Sequence, residues 1–240
     1  MTKNILYILL AAIVYLLGSR AYFYNQSQKL FASSGAFTND YSVGKENDPL
    51  VTYLVLGDST AVGTGAASVD QSYPYLVAAG LAEPGYKVHV INHAKSGARL
   101  HDLITNQLPF IDSVNPTLVT ISIGANDATH FTSHAEYQQD LRTLRDVISK
   151  HPSTQFVVAN APDMGKTIAI PQPLRALIGY LAKQENDLLL QEIPDLHLAD
   201  IYGQAKLTHL NEYASDRFHP SALGYQSWAS VFLAAINKKP

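Results

Sequence analysis

From residue 50 onward the sequence alternates short apolar runs with longer segments of helical spacing, which limits the chain to few architectures. The runs lie at 51–56, 87–91, 118–123, 155–159 and 196–201. Val51-Thr52-Tyr53-Leu54-Val55-Leu56 is typical: short, β-branched and apolar throughout. Strands buried on both faces of a sheet have this composition. Between them lie helix candidates at 73–81, 100–111, 135–150, 174–190 and 222–236. In the third, Leu141, Leu144 and Ile148 recur at helical spacing. Alternating strand and helix predicts a parallel sheet covered on both sides. The expectation is a three-layer α/β/α sandwich with a five-stranded parallel sheet in the flavodoxin-like order 2-1-3-4-5. One domain over 50–240 accounts for it.

The first 24 residues do not fit that domain. Residues 5–17 are an almost unbroken apolar run, preceded by Lys3 and followed by Arg20. Extended through Tyr24, the run reaches the roughly 20 residues that cross a bilayer, with Arg20 able to snorkel. A cleaved signal peptide is the rival reading, since Ser19-Arg20-Ala21 is a small-x-small pattern. An anchor with a very short preceding tail would put the rest of the chain outside the cytoplasm. Cleavage would make it secreted. Residues 25–49 are mixed and polar, with turn signals at Ser33-Ser34-Gly35 and Asn39-Asp40, and read as a linker.

Chemistry collects where the strands end. Gly57-Asp58-Ser59-Thr60 follows the first run directly, and ligands of open α/β sheets bind at the carboxyl ends of strands. Far downstream stands Asp216-Arg217-Phe218-His219, a carboxylate and an imidazole three positions apart. Serine, aspartate and histidine are the inventory of nucleophile, orienter and base. Of nine histidines, only His219 sits in Asp-x-x-His followed by Pro-Ser-Ala-x-Gly, a loop entering the last helix. Ser59 alone could equally be a helix N-cap. Ala61 stands where a Gly-x-Ser-x-Gly elbow needs its second glycine, which excludes that motif. Two further segments follow the second and third runs: Asn92-His93-Ala94-Lys95-Ser96-Gly97-Ala98 and Gly124-Ala125-Asn126-Asp127.

With Gly57-Asp58-Ser59 and Asp216-Arg217-Phe218-His219, these segments resemble the four motif blocks of the SGNH (GDSL-type) hydrolase superfamily, in order, from about Val51 to the C-terminus. The likeness is to bacterial lipase- and esterase-type members. It implies a catalytic Ser59, Asp216 and His219. It also implies an oxyanion hole made by Ser59, Gly97 and Asn126. Glycine at 97 allows close backbone approach, and Asn126 supplies a side-chain amide. Asp58 and Asp127 read as braces of their loops.

The activity implied is hydrolysis of carboxylic esters through an acyl-enzyme. Lipase-like, lysophospholipase-like and acylesterase-like substrates all fit, small-molecule or lipid. Removal of O-acetyl groups from a carbohydrate outside the cell is the alternative. A silent binding module on the same fold is a third, which the complete residue set argues against. Residues 163–181, with Ile168, Ile170, Pro171, Leu174, Leu177, Ile178 and Leu181, offer an acyl groove or simply a packed helix.

Other chemistries are not called for. The chain has no cysteine, so thiolate nucleophiles and thiolate zinc sites are excluded. The pairs His89/His93 and His130/His134 lack the neighbouring ligands of a zinc hydrolase motif. Neither a metal nor a cofactor is expected. A net charge of −3, with no basic block, gives no nucleic-acid surface.

Overall fold

The computed structural model describes residues 2–32, 39–205 and 207–238. Helix α1 (Thr2–Ala32) is followed by strands β1 (Asp40–Val43) and β2 (Leu50–Gly57) and helices α2 (Ser59–Val62) and α3 (Tyr73–Ala82). Strand β3 (Lys87–Asn92) leads to α4 (Leu100–Asn106) and α5 (Phe110–Val114), and β4 (Leu118–Ser122) to α6 (Ala125–His130) and α7 (His134–Lys150). Then come β5 (Gln155–Ala159), α8 (Leu174–Glu192), β6 (His197–Ala199), α9 (Ile201–Gln204) and α10 (Ala222–Ile236).

The sheet order is β1-β3-β2-β4-β5-β6. From β3 to β6 every pairing is parallel, and the order is the 2-1-3-4-5 read from the sequence. The sheet nevertheless has six strands, not five. The added one, β1, pairs antiparallel with β3 at the edge. Its four residues, Asp-Tyr-Ser-Val, are too few and too exposed to mark a strand, and His89 Nε2 meets Asp40 Oδ1 across the pairing at 2.7 Å. Of the stretch read as a linker, 25–32 continue α1 and 40–43 form β1, while 33–38 lie outside the described residues.

Successive residues of β2 feed opposite faces, as a pleated strand requires. Tyr53 and Val55 join a core with α3 and α10, where Tyr73 stacks on Phe232 with ring centroids 4.6 Å apart. Leu54 and Leu56 join the core under α4, α7 and α8. The helix expected over 100–111 breaks into α4 and α5 because Pro109 has no N–H to continue the ladder. Register then aligns the strand exits: Gly57 pairs Ser122, Ser122 pairs Ala159 and Ala159 pairs Ala199. Loops after β2, β4 and β5 therefore leave the sheet at one level.

Candidate active site

The turn after β2 is built to free Ser59. Gly57 has φ +138°, and a Cβ there would come 2.1 Å from Ser122 O, so only glycine fits. Its amide donates to Gln107 Oε1 at 2.7 Å, and Gln107 Nε2 donates back to Gly57 O at 3.0 Å. Gln107 thus pairs with the strand end like a short extra strand. Asp58, not Ser59, caps α2: its Oδ1 accepts from Thr60 N at 2.9 Å and Thr60 Oγ1 at 2.7 Å. Thr60 Oγ1 lies 2.8 Å from Ser122 Oγ, tying the start of α2 to the end of β4. The cap being filled, the Ser59 hydroxyl is left for other work.

That hydroxyl lies 2.9 Å from His219 Nε2. His219 is fully buried, and its Nδ1 lies 2.8 Å from Asp216 Oδ2. Asp216 Oδ1 accepts from the Phe218 and His219 amides at 2.8 and 2.9 Å. Folding the carboxylate back this way puts Arg217 at φ +58°. Burial raises the Asp216 carboxyl, but its bonds from the His219 ring, the charge there and the two amides outweigh it and hold it below its usual range. An ionised Asp216 accepts from Nδ1–H, which fixes Nε2 as the acceptor for Ser59.

Asn126 sits in the first turn of α6, buried, and lines one cavity with Ser59 and His219. Its Nδ2 donates to Ala98 O at 3.0 Å and keeps a second N–H for a ligand. Gly97, at φ +81°, lines a neighbouring depression with Lys95, Ser96 and Asp102. Two bonds tie its loop to the site: Asn126 to Ala98 O, and Lys95 N to Gly57 O at 3.0 Å. Of the residues singled out in the sequence, Ser59, Asn126 and His219 share the cavity, and Asp216 stands behind the imidazole.

The cavity measures about 40 Å³, roughly room for two or three waters. Its walls include Asp163, Met164, Lys166, Thr167, Tyr213 and Phe218. Sequence reasoning missed Tyr213, and Gln107 behind the turn. Of the apolar groove read at 163–181, Ile170, Leu174 and Ile178 turn into a core patch with Ala128 and Met164, so packing claims them. The spaced histidines also part company: His93 stacks on Phe110, and His130 Nδ1 lies 2.8 Å from Asn126 O.

Beneath the Gly124–Asp127 turn lies a buried acidic pair. Asp127 accepts from Leu100 N at 3.0 Å and Thr132 Oγ1 at 3.1 Å, bracing its loop. Burial pushes its carboxyl up to about 7 and that of Glu185, helped by the Asp127 charge, to about 9. Glu185 Oε2 has no hydrogen-bond partner among the described residues. A raised carboxyl stabilises the fold fully below its unfolded value, here 4.5, and that stability is lost as pH climbs through about 9. Within the window each pH unit costs on the order of 1 kcal/mol, or a few °C in Tm for a chain of this size. Glu185→Gln, neutral at every pH, is therefore expected to flatten the fall in Tm between pH 5 and 9. A variant whose Tm tracks the wild type across that range would contradict the assignment.

A serine, histidine and aspartate joined by hydrogen bonds thus stand at the carboxyl edge of a 2-1-3-4-5 sheet, with an asparagine from the loop after β4, the grouping expected from the resemblance to the SGNH superfamily. Residues 55–227 match the GDSL-like lipase/acylhydrolase family, and the chain belongs to it. The GDSL-like esterase Rv1075c of Mycobacterium tuberculosis is 32% identical over 200 residues, 78% of this chain and 62% of that protein. This chain thus spans less than two thirds of that relative. A lipase from a goat rumen metagenome superposes with a TM-score of 0.62 at 21% identity, over 77% of this chain and 97% of that one. An acetylxylan esterase from Geobacillus stearothermophilus, a catalytic mutant, gives 0.57 at 21% identity, over 82% and 97%. At that identity the two structures speak for the fold alone.

Proposed function

We propose that this protein is a serine carboxylic-ester hydrolase working through an acyl-enzyme on Ser59. The observation that carries the reading is the unbroken chain of 2.9 and 2.8 Å contacts from Ser59 through His219 to Asp216. As Ser59 Oγ attacks the ester carbonyl carbon, its proton passes to His219 Nε2. Asp216 stabilises the imidazolium that forms. Negative charge on the former carbonyl oxygen falls to Ser59 N–H, Gly97 N–H and the Asn126 amide. Collapse expels the alcohol, protonated by His219, and leaves the acyl group on Ser59. Water, deprotonated by His219, then attacks the acyl carbon and releases the acid, restoring Ser59.

Lipase- or acylesterase-like substrates are the main reading. The small cavity favours a short acyl end, which keeps carbohydrate O-acetyl groups as a second. Within this proposal residues 1–24 act as a membrane anchor with the catalytic domain outside the cytoplasm, supported by α1, whose Ile5–Tyr22 stretch is long and apolar enough to cross a bilayer. A cleaved signal segment is its rival.

A fluorophosphonate probe followed by a panel of p-nitrophenyl esters from acetyl to long acyl tests the assignment. Labelling at Ser59 with turnover of several chain lengths is the expected result. An acetyl-only profile would move the substrate to O-acetyl carbohydrate. Neither labelling nor turnover would leave a silent binding module.

A further inference from the structure

Between Lys166 and Arg175 the chain carries no charge: Thr167-Ile168-Ala169-Ile170-Pro171-Gln172-Pro173-Leu174. Lys166 and Thr167 line the Ser59 cavity, so this segment is its lip. Ile170 and Leu174 face inward, but Ile168 and Leu177 are 39% and 43% exposed and Tyr180 is 58% exposed. Single exposed apolar residues are ordinary. Helix α8, which carries Leu177 and Tyr180, packs against α1, and α1 gives the patch meaning.

Helix α1 is docked on this part of the catalytic domain at two points. Tyr15 Oη donates to Gln172 O at 2.7 Å, on the lip itself. The Arg20 guanidinium lies 5.1 Å from the centre of the Phe131 ring, which packs against the same patch as Ile170 and Leu174. Ile5, Leu6, Leu10, Ile13, Val14 and Leu17 meanwhile remain exposed. An apolar helix with so much uncovered surface belongs in lipid.

The docking fixes how deep the lip sits. Arg20 and Tyr22 are the interfacial residues that end the apolar stretch. Tyr15 is seven residues nearer the middle, about 10 Å at 1.5 Å per residue. A segment bonded to Tyr15 thus reaches about 10 Å inside those interfacial residues, among the upper acyl chains, where exposed Ile and Leu are favourable. The charges flanking it are cations. Lys166 pairs with Asp163 at 3.5 Å but is half exposed, Arg175 has no carboxylate partner among the described residues, and both suit anionic headgroups.

We propose that the lip over residues 168–177, with Tyr180, is a membrane-docking surface. Helix α1 holds it against the leaflet, so the Ser59 cavity opens onto the bilayer and takes esters carried there. The proposal rests on reading α1 as a retained anchor and Ser59 as an esterase nucleophile, and gives that site a lipid-phase substrate class.

The test uses the full-length chain in vesicles of phosphatidylcholine and phosphatidylglycerol. The chain has one tryptophan, Trp228, which is buried, so the fluorescence added by Leu177→Trp can be isolated. It is expected to be quenched by lipids brominated high on their acyl chains. The double variant I168D/L177D should lose at least about tenfold in hydrolysis of a vesicle-borne ester. It should keep its rate on p-nitrophenyl acetate in water, which also proves it folded, and should resist alkaline carbonate. An unquenched Leu177→Trp in a carbonate-resistant chain would overturn the docking and leave the anchor standing. A chain that carbonate extracts would overturn the anchor and the docking with it. Quenching without any esterase activity would uphold the docking and overturn the proposed substrate class together with the esterase reading.

Discussion

Ser59→Ala is expected to abolish ester hydrolysis and fluorophosphonate labelling, with a loss in kcat of roughly 10⁶, the scale seen when a serine nucleophile is removed elsewhere. The fold should hardly notice. Asp58 supplies the cap of α2, and Gln107 and Ser122 secure the strand end, none of them through the Ser59 hydroxyl. What disappears is one bond to His219 Nε2, worth about 1 kcal/mol. Dead enzyme with a nearly unchanged Tm is therefore the expected combination. Measuring both on one preparation separates a lost nucleophile from a lost fold. Labelling retained at another serine would remove Ser59 from its role.

How much of this could be read from residues alone depends on the range of the physics involved. The buried strands were legible because apolar β-branched runs report burial on both faces, a local property. The meeting of Ser59, His219, Asn126 and Asp216 in one place was legible because short motifs at strand exits and ahead of a helix set that geometry. Strand β1 was not, because four half-exposed residues form a strand only when β3 offers an edge about 50 residues away in sequence. Gln107 was hidden for the same reason. Nothing near it marks a buried polar side chain, and its partner is the backbone of Gly57. Tyr213 reaches the cavity from a loop with no periodic pattern at all. The contact of α1 with Gln172 is likewise a tertiary fact, made between residues 157 positions apart, which no local pattern in the apolar segment announces.

Asn126→Ala is expected to lower kcat by roughly 10² to 10³, the usual result of removing one oxyanion donor. KM should move by no more than about twofold, because the charge that Asn126 is proposed to stabilise arises only in the transition state. This residue also has a second task. Its amide holds Ala98 O at 3.0 Å and so helps to fix the turn that presents Gly97 N–H. Alanine removes one donor outright and slackens the loop of another, which places the expected effect toward the upper end of the range. The same substitution strips Ala98 O of a buried partner, at a stability cost of about 1–3 kcal/mol. Assays must therefore run well below the variant's Tm, so that the loss in kcat is not a loss of folded enzyme. A change in KM alone, with kcat intact, would mean that Asn126 binds the substrate and does not stabilise the oxyanion. Gly97 N–H and Ser59 N–H would then have to carry that charge between them.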